Sequence, residues 1–151
     1  MDRDAIANRV IAGRYRVLRR LARGGSGEVF GVQDESTGQE VALKRHLGHA
    51  VGRADMLSFM REYHALSGLR HPRIIEVYDY GMDGDAPYYT MELLRGHDLY
   101  ELAPLPFREA CSYLRDIAWS LTLLHDRRLL HRDVSPRNVR RTRPSLIAGI
   151  L

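Results

Sequence analysis

Lysine is almost absent from this chain: of 23 lysine and arginine residues only Lys44 is lysine, leaving 22 arginines. Arginine is a planar fork that is always charged, whereas lysine is a compact point charge on a flexible stem. Keeping lysine once, in "EVALKRH", points to a position that needs its shape, although a chance exception in an arginine-preferring sequence gives the same count. Cysteine is scarce as well. Cys111 is alone, so it forms no internal disulfide, and no Cys/His cluster has zinc-site spacing. No apolar run reaches the ~18 residues needed to cross a bilayer. The opening "MDRDAIANRVIAGRYR" lacks the apolar core of a secretory signal. These absences set a reducing, cytoplasmic location with no membrane partner as the expectation.

The 151 residues are 44% hydrophobic and 28% charged, enough to build a core of ordinary size for a soluble globular chain. A net charge of +4 and a pI near 9.5 raise the question of nucleic acid. The arginines are spread through "RRLAR", "RHPR", "HDRR" and "RRTR" with acids between them. Aromatic and basic residues do not interleave as they do on single-strand binders. Solvated surface charge is the plainer reading, and no specific nucleic-acid partner is expected.

There are no repeats, low-complexity tracts or Ser/Gly-rich linkers. "RYRVLRRLA", the glycine cluster "RGGSG", "EVFGVQD", the turn "ESTG" and "QEVALKRH" predict three antiparallel strands. A helix is predicted over 55–69, with Met56, Phe59, Met60, Tyr63 and Leu66 on one side. "RIIEVYDYG", "MDGDAP" and "YYTMELL" read as a further hairpin. A second helix is predicted over 106–125, with Pro106 in its first turn and an apolar stripe of Cys111, Leu114, Ile117, Ala118, Leu121 and Leu124. The order describes a small α+β lobe followed by the start of a helical one.

The glycine cluster joins two strands, which argues against a dinucleotide fold, whose glycines must open a helix. It also lacks the Gly-Lys-Ser/Thr of a P-loop. A hairpin through Gly24, Gly25, Ser26 and Gly27 can bring backbone N–H groups close to phosphate oxygens, or it can be a plain turn. Lys44 on the third strand and Glu62 in "FMREYHAL" suit a lysine held by a helix carboxylate to meet nucleotide phosphates; a solvent-facing glutamate is the simpler alternative. In "LLHRDVSPRN", Asp133 and Asn138 lie five apart in a loop after an apolar helix. Asp133 could accept a hydroxyl proton there, and Asn138 could hold Mg²⁺.

Taken in order, glycine loop, Val-Ala-Leu-Lys, helix glutamate, "LRHPRII", "YYTMELLRG" and His-Arg-Asp-x-x-x-x-Asn resemble a eukaryotic-type serine/threonine protein kinase of the kind bacteria carry, from about Tyr15 to Val139. The resemblance implies an α+β protein-kinase-like fold: a five-stranded antiparallel N-lobe sheet with one regulatory helix, plus the first helices of an incomplete helical C-lobe. It implies an N-terminal extension over 1–13, the ATP-binding lobe over 14–94, hinge and catalytic loop over 95–139, and a divergent tail over 140–151. It further implies ATP and Mg²⁺ as cofactors and a protein substrate with a Ser or Thr acceptor. The catalytic residues would be Asp133, Lys44, Glu62 and Asn138, with Asn138 on the metal. Gly24, Gly25, Ser26 and Gly27 would cover the phosphates. Leu21, Val29 and Ala42 would roof the adenine, and Met91 would be the gatekeeper. Glu92 and Leu94 would offer hinge backbone groups, and Asp98 would reach the ribose. Arg132 would pair with a phosphorylated activation loop, and His131 would be structural.

Four departures stand out. Ala22 replaces the leading loop glycine, and Ser135 replaces a lysine that would neutralise γ-phosphate charge. Arg140 falls near the adenine floor, where an aliphatic residue is usual. No Asp-Phe-Gly occurs, although "LIAGIL" at the end resembles a degraded form with Ala148 at the aspartate. The expectation is little or no kinase activity from this chain alone, with a nucleotide-binding or protein-interaction module as the alternative reading.

Overall fold

Side chains alternate across a strand with period two, and Tyr15 and Val17, Phe30 and Val32, and Val41 and Leu43 each share a buried face, while Gly31 and Ala42 between them are buried on the other face and Arg16 is half-buried. The structure, a computed structural model, describes residues 9–25, 27–47, 52–131, 133–143 and 146–150. They group into one unit that runs to Gly68 and resumes over Glu76–Leu93, and a second made of Leu69–Ile75 with the residues from Leu94 onward.

In the first unit, β1 (Val10–Ile11), β2 (Tyr15–Gly24), β3 (Gly27–Asp34), β4 (Glu40–Arg45), β5 (Val77–Asp83) and β6 (Ala86–Met91) form one antiparallel sheet in the order β1-β2-β3-β4-β6-β5. The sheet has six strands where five are expected, because Val10–Ile11 folds back on β2. Ala12 and Gly13, at φ 50° and 65°, make the tight turn. Asp83 anchors it, accepting from the Ala12 N–H at 3.1 Å and from Arg9 at 2.7 Å while also binding Arg45 on β4 at 2.9 Å. Burial pushes the Asp83 carboxyl up, and these donors outweigh it, leaving the pKa below the ordinary carboxylate value.

One face of the sheet carries a core of Ile11, Tyr15, Val17, Phe30, Val32, Val41, Leu43 and Tyr88. Burying Val32 and Leu43 completely is worth about 1.5–3 kcal/mol each. The opposite face is covered by α1 (Arg53–Leu66), which buries Phe59 and keeps Met56, Met60, Tyr63 and Leu66 half-buried, as its periodicity predicts. The helix starts two residues earlier than expected and stops three earlier. Ser67 is extended, and Gly68 is left-handed at φ 82°, a conformation a glycine supplies without steric cost.

In the second unit, α2 (Phe107–Asp126) begins one residue after Pro106, which is its N-cap rather than part of its first turn. The buried face is Tyr113, Asp116, Ile117, Ser120 and Leu124, so the expected stripe is rotated: Cys111, Leu114 and Ala118 are exposed, Leu114 by 64%. Two contacts turn the helix. Val139 and Leu99 pack on Tyr113 and Ile117, and the Arg73 guanidinium lies 3.6 Å from buried Asp116 and over the Trp119 ring at 5.6 Å. Within the stretch from 139 onward, β8 (Val139–Arg143) and β9 (Leu146–Ile150) pair with β7 (His97–Asp98) in a three-stranded sheet. Arg141 on β8 donates to Glu109 at 3.1 Å and to the Tyr113 hydroxyl at 3.3 Å, so arginine here is a staple to α2.

A polar cluster closes the outer end of the first unit. Arg14 donates a bidentate pair to Asp34, Nε to Oδ1 at 2.8 Å and an Nη to Oδ2 at 2.7 Å, and reaches Asp79 at 3.0 Å. The Tyr15 hydroxyl donates to Asp79 at 3.0 Å. Asp34 is only 5% exposed. Its hydrogen bonds from Arg14 hold the carboxyl far below its ordinary value of 3.8 against the opposing effect of burial, with Ser36 helping. A carboxylate depressed on folding stabilises the protein above its unfolded pKa, and that stability is lost as pH falls. Arg14→Ala is therefore expected to cost about 2 kcal/mol in urea denaturation at pH 7, less than a fully buried pair because the guanidinium is partly exposed. The gap between variant and wild type is expected to narrow as pH falls below the ordinary value of 3.8 and to close only once Asp34 is protonated in the folded state as well; a gap as large at pH 2 as at pH 7 contradicts the account.

Candidate active site

The antiparallel register decides which side chains share the α1 face. Val29 on β3 stands opposite Lys44 on β4, Lys44 opposite Tyr89 on β6, and Ala42 opposite Met91. Directly opposed residues in an antiparallel pair point to the same side. Val29, Ala42, Lys44, Tyr89 and Met91 are therefore neighbours on one surface, with Ala42 and Met91 buried. Leu21 sits at the register break between Arg20 and Ala22, 41% exposed.

Lys44 Nζ donates to Glu62 Oε1 at 2.6 Å, joining the third long strand to α1. The same oxygen accepts the Tyr89 hydroxyl at 2.6 Å. The lysine side chain is 17% exposed and the glutamate 38%, so the pair sits at the edge of the unit with the ammonium the better sheltered partner. Glu62 is thus a partner of Lys44 while still partly facing solvent. Tyr89 is the residue that sequence reading misses. The signal for it is period two: positions 89 and 91 share a face, and Met91 is already a candidate.

Gly24 pairs with Gly27 across the hairpin between β2 and β3. A Cβ on Gly24 or Gly25 would meet open space, whereas one on Gly27, at φ 156°, would stand 2.5 Å from the Arg45 carbonyl oxygen. Ser26 lies outside the described residues, as does Arg132. The Glu92 N–H donates to the Glu76 carbonyl at 2.8 Å, so the backbone group Glu92 keeps available is its C=O.

The remaining candidates belong to the second unit. Asn138 Nδ2 donates to both the carbonyl and the Oδ2 of Asp133 at 2.9 Å, fixing the five-residue spacing as a closed loop. The Asp133 N–H donates to His131 Nδ1 at 3.3 Å. A short 3-10 turn, Pro136–Asn138, is closed by the Asn138 N–H on the Ser135 carbonyl at 3.0 Å, and Leu99 ties the loop to β7 through the Pro136 carbonyl at 3.0 Å. Asp98 is buried, with its Oδ1 accepting from the Glu101 N–H at 2.8 Å, which leaves Oδ2 as its free acceptor among the described residues. Arg140 stands opposite Asp98 and donates to the Gly96 carbonyl at 2.9 Å. Among the described residues no three His, Cys, Asp or Glu side chains are grouped to hold a metal. Magnesium asks for less: it keeps waters and binds through one or two oxygen ligands plus substrate phosphates. With Nδ2 spent on Asp133, Asn138 offers Oδ1, which fits that partial role.

Lys44 is thus paired to a helix carboxylate beside a glycine hairpin, and Asp133 is locked to Asn138 in a loop. The protein kinase domain family model matches residues 15–142. The chain is 39% identical over 136 residues to the serine/threonine-protein kinase pkn2 of Myxococcus xanthus, covering 86% of this chain and 16% of that protein. It is 33% identical over 134 residues to the serine/threonine-protein kinase PrkC of Bacillus subtilis, covering 85% and 21%. The crystal structure of the Mycobacterium tuberculosis PknI kinase domain superposes with a TM-score of 0.77 at 31% identity, over 95% of this chain and 59% of that one. The chain belongs to the protein kinase family, and among its relatives are bacterial serine/threonine kinases of which it spans a fraction.

The glycine positions differ in a checkable way. Gly27→Ala is expected to destabilise the chain by about 1–3 kcal/mol, because the methyl strains the backbone and drives β3 from Arg45. Gly24→Ala is expected to stay within about 0.5 kcal/mol. Thermal melting of the two variants checks this, and equal losses would contradict the steric account.

Proposed function

We propose that this chain is the ATP-binding and catalytic-loop portion of a serine/threonine protein kinase catalytic domain. The single observation that carries the proposal is the 2.6 Å bond between Lys44 and Glu62. A lysine on a strand held by a helix carboxylate presents a fixed ammonium, which is what α- and β-phosphate oxygens need for positioning. Gly24, Gly25 and Gly27 support the same reading, since backbone N–H groups without side chains can approach phosphates. Val29, Ala42 and Met91 supply an apolar face suited to adenine. The Glu92 carbonyl and the Leu94 backbone would meet its polar edge, and Asp98 Oδ2 the ribose.

Asp133 would accept the proton of a Ser or Thr hydroxyl as it attacks, through the carboxylate oxygen that Asn138 does not hold. Asn138 would serve twice, orienting Asp133 through Nδ2 and offering Oδ1 to Mg²⁺. Bound magnesium neutralises charge on the transferred phosphoryl group. Ser135 leaves the loop without the ammonium that would share this task. A reducing, cytoplasmic setting suits the lone, exposed Cys111, and no helix among the described residues is long and apolar enough to cross a membrane.

A second reading, a nucleotide-binding or protein-interaction module without turnover, is favoured by one observation: these 151 residues contain no Asp-Phe-Gly, whose aspartate would be a main metal ligand. Calorimetric titration with ATP and Mg²⁺ tests the nucleotide site itself. Binding that Lys44→Met weakens roughly tenfold or more supports the phosphate anchor; equal affinity for wild type and variant contradicts it. Phosphotransfer by this chain is expected to be negligible. A turnover near ~1 s⁻¹, at the low end for kinases, would overturn the expectation of inactivity.

A further inference from the structure

Tyr89 is 1% exposed, and its hydroxyl donates to the one glutamate oxygen that Lys44 also uses. A buried phenol must find a partner, and this one has taken a carboxylate when backbone and water are the commoner choices. Burial, then the charge and hydrogen bond of Glu62, push the Tyr89 pKa far above its ordinary value. The hydroxyl therefore keeps its proton and remains a donor across the whole physiological range. Its ring is wedged against α1, 5.2 Å from Phe59 and 6.0 Å from Tyr63. Tyr63 in turn stacks 5.3 Å from Tyr80 and donates to the Tyr78 carbonyl at 3.2 Å. Every one of these groups belongs to the first unit.

Glutamate and lysine are both long, and each loses much rotamer freedom when held in a single geometry. A half-exposed pair of this kind is weak unless something fixes one partner beforehand. Tyr89 is rigid, has two side-chain torsions and is locked on three sides, so it can do that. We propose that Tyr89 is a positioning residue whose hydroxyl fixes Glu62, and through it Lys44 Nζ, so that the lysine–glutamate pair is assembled by this unit alone, before any nucleotide arrives. Only the consequence for nucleotide binding rests on the proposed function; the pairing does not.

The scarcity of lysine makes the test clean. Protein labelled with ¹⁵Nζ-lysine has a single side-chain ammonium signal, that of Lys44. An ion pair slows exchange of its protons with water, so the factor by which Glu62→Gln speeds exchange measures how firmly the pair is held. Measuring that factor with and without Tyr89→Phe completes a double-mutant cycle, in which the ring and its packing stay and only the hydroxyl goes. The factor is expected to fall about threefold or more in the Tyr89→Phe background, and to persist with Tyr63→Phe, which removes a hydroxyl from the same aromatic cluster but not from Glu62. An unchanged factor, or an equal fall with Tyr63→Phe, overturns the proposal. Replacing Tyr89 by p-aminophenylalanine keeps both the ring and a donor, so it stands in should Tyr89→Phe fail to fold. The factor is expected to survive there, and its loss would again overturn the proposal. ATP is then added to the labelled wild type. A Lys44 signal that does not respond would sink the phosphate-anchor reading while leaving the positioning result intact. A response that Tyr89→Phe weakens roughly fivefold in apparent affinity carries the positioning through to binding.

Discussion

The antiparallel register that sets Lys44 opposite Tyr89 and Ala42 opposite Met91 is the constraint on which the first unit depends. Side chains alternate across a sheet with period two, so a slip of one residue would carry Lys44 into the apolar core and bring Leu43 out beneath α1. The core on the far side guards against that slip, because Val41 and Leu43 would leave it and Phe30 and Val32 would lose them as neighbours. The position of the ammonium is therefore secured by apolar area on the face it does not occupy. Charge contributes the last bond, from β4 to α1, and packing contributes the accuracy.

Much of this was legible in the sequence because the signals were local and periodic. The glycine hairpin, the Val-Ala-Leu-Lys strand, the apolar side of α1 and the aspartate–asparagine loop each follow from a few residues in order. The parts that escaped depend on distant partners. β1 is two residues long and exists because Asp83, more than seventy positions away, accepts from the Ala12 N–H and Arg9. β8 carries four arginine or threonine residues after Val139, a composition that hides a strand until Glu109 and Tyr113 are seen to receive Arg141. The face of α2 could not be chosen from its own apolar residues, since it was rotated toward Val139 and toward the Arg73–Asp116 contact. Tyr89 was hidden for a related reason. An aromatic residue in a strand is ordinary, and only the structure reveals that its hydroxyl meets Glu62.

The loop of the second unit that carries Asp133 and Asn138 is organised by a similar economy. Asn138 binds the backbone and the side chain of Asp133 with one amide nitrogen, while Pro136 fixes the turn between them. Arg137 lies over the Tyr100 ring at 3.7 Å, so the residue between proline and asparagine is also immobilised. A loop with this many short-range constraints holds an acceptor oxygen at a defined place without burying it. That suits a proton acceptor, which must stay accessible to a hydroxyl yet be oriented when the hydroxyl arrives.

The two acidic partners in the first unit explain why one lysine survives among so many arginines. Asp34 presents both oxygens, and Arg14 occupies both with its rigid fork. At Glu62, Oε1 is shared by the Tyr89 hydroxyl and the Lys44 ammonium. A guanidinium seeking two parallel bonds would compete with Tyr89 for that oxygen or turn the carboxylate away from it. An ammonium needs only one acceptor and keeps two further N–H bonds to give. On this account the tyrosine selects the lysine: once Oε1 has an aromatic donor, the cation opposite must be a point charge, and the spare donors are what a phosphate would meet.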